Sequence, residues 1–401
     1  MKFLFKDRSF SFEALRTAGF ANYGGADLSD VLVTARTIKD GDEASWLRSW
    51  KATAQRVHAV AEQALAQGHR VSAREAFLRA SNYYRTAEFF QRVTPAEDPE
   101  VALLSEMSRK TFRAAMKLLD SPVEEVTVPY GGSTLPGYLF LVDASGRPRP
   151  TIIYNNGFDS TSEESYFAIA AAALLRGYNV VAFDGPGQGA ALRVQRLVFR
   201  HDWEAVVTPV IDFALLRPEI LPQSIVLFGY SFGGYLVARA AAFDHRPAAI
   251  ILDDGLFDYS VSGSRAMPRF LFRWIMEGRD NLATPLLRAA AAMNTQSRWG
   301  MNNGVWAMGA LSMPDYVRRT TKYTLAGVAE NITCPTLILD PDSDQFFRGE
   351  PQRVRAALKA PCTLITLTDA EGAGEHCHYG ATSRAHQLMF DWLDTTLEQE
   401  F

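Results

Sequence analysis

The sequence predicts an α/β protein: an eight-stranded, mostly parallel sheet with flanking helices, preceded by a helical domain and interrupted by a helical cap. Three observations predict it. The apolar residues of the first 122 positions recur at helical spacing and not at strand spacing. After that, short apolar runs typical of strands alternate with helical segments. One pair of successive runs, which end at Asp253 and begin near Cys334, is separated by about eighty residues. We therefore divide the chain into an N-terminal helical domain (1–122) and an α/β domain (123–401) with a cap at about 260–330.

The composition is typical of a soluble globular protein, with 47% hydrophobic and 21% charged residues among 401. A net charge of −4 gives no reason to expect nucleic acid or an anionic membrane as a partner. The three cysteines are too few, and odd in number, for a disulfide scaffold. Because Lys6, Asp7 and Arg8 interrupt the apolar N-terminus and no run of about 18 apolar residues occurs, we expect a cytoplasmic protein without a membrane span.

The N-terminal domain is predicted to contain four or five helices. Residues 44–67 and 71–92 carry apolar side chains at three- and four-residue spacing, which is typical of a helix face. Asp98 and Pro99 predict the start of another helix that continues to Leu119, because aspartate caps a helix and proline suits its first turn.

From residue 123, β-branched apolar segments predict eight strands, and Gly131-Gly132 predicts a hairpin between the first two. Only this hairpin is expected to be antiparallel, because the later runs are apolar throughout, as strands buried on both faces are. The strands are expected at Val123–Tyr130, Pro136–Val142, Thr151–Asn155, Tyr178–Phe183, Ser224–Gly229, Ala248–Asp253, Thr336–Asp340 and Thr363–Leu367. The helices between and after them are expected at Glu164–Arg176, Trp203–Leu216, Phe232–Phe243, Pro351–Leu358 and Ser383–Leu397.

The segment Gly229-Tyr230-Ser231-Phe232-Gly233 lies between a predicted strand and a predicted helix, which is the context of a nucleophile elbow. Because the turn is sharp, the positions that flank Ser231 leave no room for side chains, which explains Gly229 and Gly233. This motif predicts the α/β-hydrolase fold, with Ser231 as nucleophile. The N–H of Phe232, at the start of the helix, is a candidate donor to an oxyanion.

A second oxyanion donor is expected in the loop Asn155–Asp159, which follows the third strand. Gly157 allows a close approach of the backbone, and the N–H of Phe158 is the candidate donor. The same Asn-Gly pair is also common in turns without catalytic function.

The acid that orients the catalytic histidine is expected after the seventh strand, where Asp340, Asp342 and Asp344 occur within five residues. We favour Asp344 from its offset to the strand and keep Asp342 and Asp340 as alternatives. The spacing resembles a calcium loop, but Gln345 occupies the position of the loop glycine and Pro351 that of the final glutamate, so we expect no calcium there.

The base is expected after the last strand, where His376 and His378 follow a glycine-rich segment. The chain order Ser…Asp…His and the loop position favour His376. Cys377 is expected to be a bystander, because the serine already occupies the elbow. No metal or cofactor is required by this chemistry, and the segment 184–189 lacks the Lys-Ser/Thr of a phosphate-binding loop.

Four segments together resemble one group of α/β-hydrolases: FDGPGQG (183–189), FRHDWEAVVTPVIDF (199–213), GYSFGGYLVARAAAF (229–243) and GAGEHC (372–377). The group contains 2,6-dihydroxypseudooxynicotine hydrolase and the fungal heptaketide-shortening pigment hydrolases, and it is similar more distantly to the fermentation-respiration switch protein. The resemblance implies hydrolysis of a carbon–carbon bond in a β-diketone, acyl-polyketide or aromatic ketone. It also implies a triad of Ser231, Asp344 and His376.

Asp254, beneath the predicted cap, and Tyr230, within the elbow, are candidate substrate contacts, although Asp254 suits a structural role in the cap equally. The partner is expected to be a small carbonyl compound, bulky or aromatic, and a homodimer is possible. The triad does not specify the leaving group, so an esterase, lactonase, peptidase or acyltransferase remains open. A regulatory binding protein on the same fold is an alternative of another class.

Overall fold

The fold is described from a computed structural model, which covers residues 2–261 and 267–398. Met1, residues 262–266 of the predicted cap and residues 399–401 of the predicted α/β domain lie outside the described residues.

Five α-helices precede the first strand in the described chain, in agreement with the expected number. They are α1 Arg8–Gly19, α2 Leu28–Ala35, α3 Glu43–Ala66, α4 Arg70–Glu88 and α5 Pro99–Met116. Aspartate side chains cap four of them by accepting backbone N–H groups, which explains where these helices begin. The sequence prediction extended α4 to Arg92, but the helix ends at Glu88, and the Phe89 carbonyl instead accepts a hydrogen bond from Trp299 Nε1 at 2.8 Å.

The eight strands form one sheet in the order β1-β2-β4-β3-β5-β6-β7-β8, which confirms the predicted mostly parallel architecture. The strands are β1 Val123–Tyr130, β2 Ser133–Phe140, β3 Arg149–Asn155, β4 Asn179–Phe183, β5 Ile220–Tyr230, β6 Ala249–Asp253, β7 Thr336–Pro341 and β8 Cys362–Leu367. Strand β2 is antiparallel to both β1 and β4, and the remaining pairs are parallel. Because parallel strands end at one edge, the loops after β3, β5, β6 and β7 converge there.

Helices cover both faces of the sheet, so the inner strands β4, β6 and β7 are buried along their whole length, whereas the edge strands β1 and β8 are partly exposed. The helix after β3 was predicted as one element, but it begins as a π-helix, Tyr166–Ala170, before α6 Ala171–Leu174. The others are α7 Gly189–Arg193, α8 Glu204–Leu215, α9 Gly233–Ala241 and, after the cap, α14 Glu350–Ala357 and α15 Thr382–Thr396. The N-terminal helices share an apolar core with one face of the sheet, in which Phe10 and Trp46 belong to the same cluster as Ile152 and Val226.

In the described residues from 267 onward, four α-helices lie before β7. They are α10 Arg269–Met276, α11 Asp280–Met293, α12 Thr295–Ala307 and α13 Met313–Thr320. These helices contact the N-terminal region: Arg298 forms an ion pair with Glu43 at 2.7 Å, and the Trp299 ring stacks on Phe89 with centroids 4.7 Å apart. Within the described residues, none of the helices has both the length and the apolar character needed to cross a membrane.

Candidate active site

The turn between β5 and α9 presents Ser231 in a strained backbone conformation. Ser231 has a φ of +58°, which a residue with a side chain rarely adopts. A side chain on Gly229 would place its Cβ 2.2 Å from the Gly233 carbonyl, and one on Gly233 would place it 2.6 Å from the Asn155 carbonyl. Any side chain at either position would collide with the backbone, so both positions require glycine, as in a nucleophile elbow.

His376 connects the elbow with the loop after β7. Its Nε2 atom lies 2.7 Å from Ser231 Oγ, and its Nδ1 atom lies 3.1 Å from Asp344 Oδ2. His376 and Asp344 are both about 95% buried, so bulk water competes little for these contacts. The structure thus brings together the serine, histidine and acid that the sequence favoured.

The two alternative acids do not contact His376. Asp340 Oδ2 accepts hydrogen bonds from Gln352 Nε2 at 2.5 Å and from Thr366 Oγ1 at 3.2 Å. Asp342 Oδ1 accepts the backbone N–H of Asp369 at 3.1 Å. Both carboxylates stabilise the end of the β7–β8 pair and its loops.

Asp254 occupies a different place from the one expected. The sequence made it a candidate substrate contact, but it is fully buried and absent from the cavity lining. Its Oδ2 atom lies 2.5 Å from His376 Nδ1, closer than that of Asp344. Sequence reasoning missed this contact because it searched for the acid only after β7. The signal was the acidic pair Asp253-Asp254 at the end of β6, where the strand ends converge.

The electrostatics of the site depend on these carboxylates. Burial disfavours the imidazolium of His376, but electrostatic interactions with Cys377 and with the carboxylates of Asp344 and Asp254 outweigh burial and hold the pKa of His376 well above its ordinary value. Burial raises the pKa of the Cys377 thiol well above its usual range, so the thiol is neutral at neutral pH and the carboxylates are the effective anions.

The two carboxylates differ from each other. Burial raises the pKa of Asp254 to about 7 against the opposing charge of His376. For Asp344, burial is outweighed by the charge of His376 and by hydrogen bonds from His376 and the backbone, and its pKa is lowered. Asp344 is therefore the more firmly ionised of the pair.

The predicted oxyanion loop lies against the elbow. A Cβ on Gly157 would lie 2.8 Å from the Tyr230 carbonyl and 3.0 Å from Ser231 Cβ, so glycine permits this approach. Within the described residues, neither the Phe158 N–H nor the Phe232 N–H donates a backbone hydrogen bond, and Phe158 lines the cavity over Ser231. Ser160 Oγ accepts the Gly157 N–H at 2.8 Å and fixes the loop.

A cavity of about 560 Å³ opens over Ser231 and is lined by the N-terminal helices, the elbow, the cap and the His376 loop. Its wall is largely aromatic, with Phe12, Phe89, Phe158, Tyr259, Trp299 and Phe346 among the lining residues. Tyr230, the other candidate substrate contact, also lines it, and the Tyr230 hydroxyl has no hydrogen-bond partner in the described chain. Such a cavity suits a bulky apolar ligand that carries few polar groups.

Among the residues that the structure describes, two groups of buried side chains are close enough to share a metal ion: Asp254 with His376 and Cys377, and Asp253 with Asp254 and His378. His376 already uses both ring nitrogens, Nε2 for Ser231 and Nδ1 for the carboxylates, so a metal bound to either nitrogen would have to displace one of these contacts. His378 accordingly faces away from Ser231: its Nδ1 contacts the Ala373 carbonyl at 2.7 Å and its Nε2 lies 3.3 Å from Asp253. We interpret these groups as ion pairs.

Two protein families match this chain. Residues 156–389 match the family described as "Alpha/beta hydrolase family", and residues 26–252 match the one described as "Esterase FrsA-like". The chain belongs to the α/β-hydrolases. It is 37% identical to hydrolase LUC6 of Fusarium sp, over 98% of this chain and 97% of that protein. It is also 37% identical to 20-hydroxy-prefusarin hydrolase FUS2 of Gibberella moniliformis, with the same coverage.

Solved structures confirm the fold of this α/β-hydrolase. The 2,6-dihydroxy-pseudo-oxynicotine hydrolase superposes with a TM-score of 0.74 at 23% identity over 94% of each chain. AbyA5 superposes with a TM-score of 0.67 at 14% identity, covering 96% of this chain and 95% of its own. In both cases the likeness includes the N-terminal helical region, since nearly the whole chain is aligned. The resemblance inferred from the sequence is confirmed at the level of family and fold.

Proposed function

We propose that this hydrolase acts through a Ser231–His376–Asp344 triad and cleaves a carbon–carbon bond in a β-diketone, acyl-polyketide or aromatic ketone. The observation that carries the proposal is the 2.7 Å contact between His376 Nε2 and Ser231 Oγ, at the floor of an aromatic cavity. A hydroxyl, an imidazole that can take its proton and a buried carboxylate behind that imidazole are the parts that nucleophilic catalysis needs.

The proposed reaction proceeds in two halves. His376 Nε2 takes the proton of Ser231 as Oγ bonds to the substrate carbonyl, and the N–H groups of Phe232 and Phe158 receive the negative charge on oxygen. The carbon–carbon bond then breaks, its electron pair leaves as an enolate, and the imidazolium protonates that enolate. Water, deprotonated by His376, finally releases the acyl group as a carboxylic acid and restores Ser231.

Hydrolysis of an ester is the second candidate, because one matching family is described as an esterase. The two candidates share every step except the leaving group, which is an alkoxide rather than an enolate. The name of FUS2 refers to hydrolysis of 20-hydroxy-prefusarin, and we propose a comparably bulky small molecule as the substrate here. The volume of about 560 Å³ supports a ligand of that size.

The test combines a covalent probe with a substrate panel. A fluorophosphonate should label the wild-type protein at Ser231, as mass spectrometry of the peptide will show, and should not label Ser231→Ala. Matched aryl 1,3-diketones and aryl esters of equal size are then compared by kcat/KM. Faster turnover of the diketones supports carbon–carbon cleavage, faster turnover of the esters supports the second candidate, and absence of both labelling and turnover refutes the serine mechanism.

A further inference from the structure

The contacts of His376 Nδ1 differ from those of a simple triad, because two carboxylates face the same nitrogen. Asp254 Oδ2 lies 2.5 Å away and Asp344 Oδ2 lies 3.1 Å away. Asp344 has the geometry of a hydrogen-bond acceptor, whereas Asp254 makes the closer ion-pair contact. The two acids come from different strand ends, β6 and β7, so the imidazole is held from two sides.

The surroundings of the two acids show that neither contact is incidental. Asp344 Oδ1 accepts the Phe346 N–H at 2.7 Å, which fixes its carboxylate toward His376. Asp254 is fully buried; its Oδ2 also accepts the Cys377 N–H at 3.4 Å, and its Oδ1 has no donor among the described residues. A buried carboxylate is costly unless an opposite charge compensates for it, and the group placed to do so is His376.

The backbone at the end of β6 also connects Asp254 to the nucleophile. The Ser231 N–H donates to the Asp253 carbonyl, one residue before Asp254. A Cβ on Gly234 would lie only 2.0 Å from the Asp254 carbonyl, so the start of α9 packs directly on this residue. One short segment therefore contacts both the serine turn and the histidine ring.

We propose that Asp254 is a second orienting acid for His376, a positioning residue that shares with Asp344 the role of holding Nδ1 and stabilising the imidazolium. This inference rests on the proposed triad and deepens it. The other groups that face His376 are the neutral Cys377 thiol and the rings of Phe12, Phe346 and Phe347, which carry no charge. The two acids are therefore the charges through which the protein sets the basicity of His376.

The kinetic test uses Asp254→Asn, Asp344→Asn, the double variant and Asp342→Asn as a control on an acid that does not contact His376. Loss of a sole triad acid costs about 10⁴ in kcat. With two acids, we expect each single variant to lose only about 10- to 10³-fold in kcat at little change in KM, and the double variant to lose about 10⁴ or more. The acid limb of the kcat/KM profile should move to lower pH in each single variant, because removing an anion lowers the pKa of His376.

An NMR measurement of the His376 Nδ1 proton tests the proposal independently of turnover. In protein labelled with ¹⁵N-histidine, the Nδ1–H of His376 should give a downfield proton resonance. It should persist in Asp344→Asn, because Asp254 Oδ2 lies 2.5 Å from Nδ1 and takes over as acceptor, and it should disappear in the double variant. Loss of that resonance in Asp344→Asn, or an Asp254→Asn enzyme with the wild-type rate and pH profile, overturns the proposal. Failure of the fluorophosphonate to label wild-type Ser231 overturns the proposed function instead. The two failures can be distinguished, because the Nδ1–H resonance reports on the contacts of His376 and does not depend on turnover.

Discussion

Arg16, in the first helix, donates from Nη1 to Asp159 Oδ1 at 3.1 Å, and Asp159 directly follows the proposed oxyanion donor Phe158. The same guanidinium holds Glu164 through Nε and Nη2, at 2.8 to 3.1 Å. Arg16 is 2% exposed and also lines the cavity. The helical region therefore contributes directly to the position of the oxyanion loop.

We predict that Arg16→Gln lowers both stability and turnover. Removal of Arg16 leaves Glu164 with Arg85 alone, 3.4 Å away, so the cost is at most the roughly 3 to 5 kcal/mol of a buried ion pair that loses one member. Displacement of one oxyanion donor costs about 10²- to 10³-fold in kcat. Thermal unfolding and kcat against the best substrate of the panel measure the two effects.

A milder variant and a surface control separate those effects. Asp159→Asn keeps the Arg16–Glu164 contact, so kcat should fall while the melting temperature changes little. Arg56→Gln, which breaks an exposed pair with Asp30 (Arg56 side chain 57% exposed), should change neither. Wild-type kcat in a folded Arg16→Gln protein would contradict the role given to Arg16.

The parts of the site that are local in sequence could be predicted, and the parts that depend on tertiary approach could not. Ser231 was predictable because strand, turn and helix are contiguous around it, and His376 because chain order and loop position identify it. The contact of Asp254 with His376 requires the end of β6 and a loop 122 residues later to meet at 2.5 Å, which no periodicity encodes. The same holds for Arg16 and Glu164, which are 148 positions apart.

Asp344 and Asp340 provide a matched pair of buried acids near the same strand end. Asp344→Asn should lower kcat at least 10-fold, because Asp344 faces His376, whereas Asp340→Asn should leave kcat within about 2-fold of wild type, because its partners are Gln352 and Thr366. Steady-state kinetics at one pH decide the matter. A larger loss in Asp340→Asn than in Asp344→Asn would contradict the proposed role of Asp344 as the triad acid.

His378 should make stability depend on pH. Burial lowers its pKa, but the charge of Asp253 outweighs burial and raises the pKa to about 9. Because the folded-state pKa is higher than the ordinary value of 6.5, the stabilisation is complete below pH 6.5 and is lost as pH rises through 9. The contribution lost is roughly 3 kcal/mol.

Urea unfolding of wild type and His378→Gln between pH 6 and 10 measures this contribution. The free energy of unfolding should fall with rising pH in wild type, and the fall should be smaller in the variant. His376 titrates in the same direction, so the difference between the two proteins isolates His378. Parallel curves would show that His378 carries no extra proton in the folded state.

Gly157→Ala should impair catalysis more than folding. Its Cβ would lie 2.8 Å from the Tyr230 carbonyl and 3.0 Å from Ser231 Cβ, so the loop must retreat and take the Phe158 N–H away from the reacting oxygen. The loss of one donor predicts a decrease in kcat of about 10²- to 10³-fold, with KM changed far less because the donor acts mainly on the transition state. Gly132→Ala is the control, since nothing lies within 4 Å of its Cβ and its rate should equal that of wild type. A Gly157→Ala enzyme with normal kcat would show that this loop supplies no oxyanion donor.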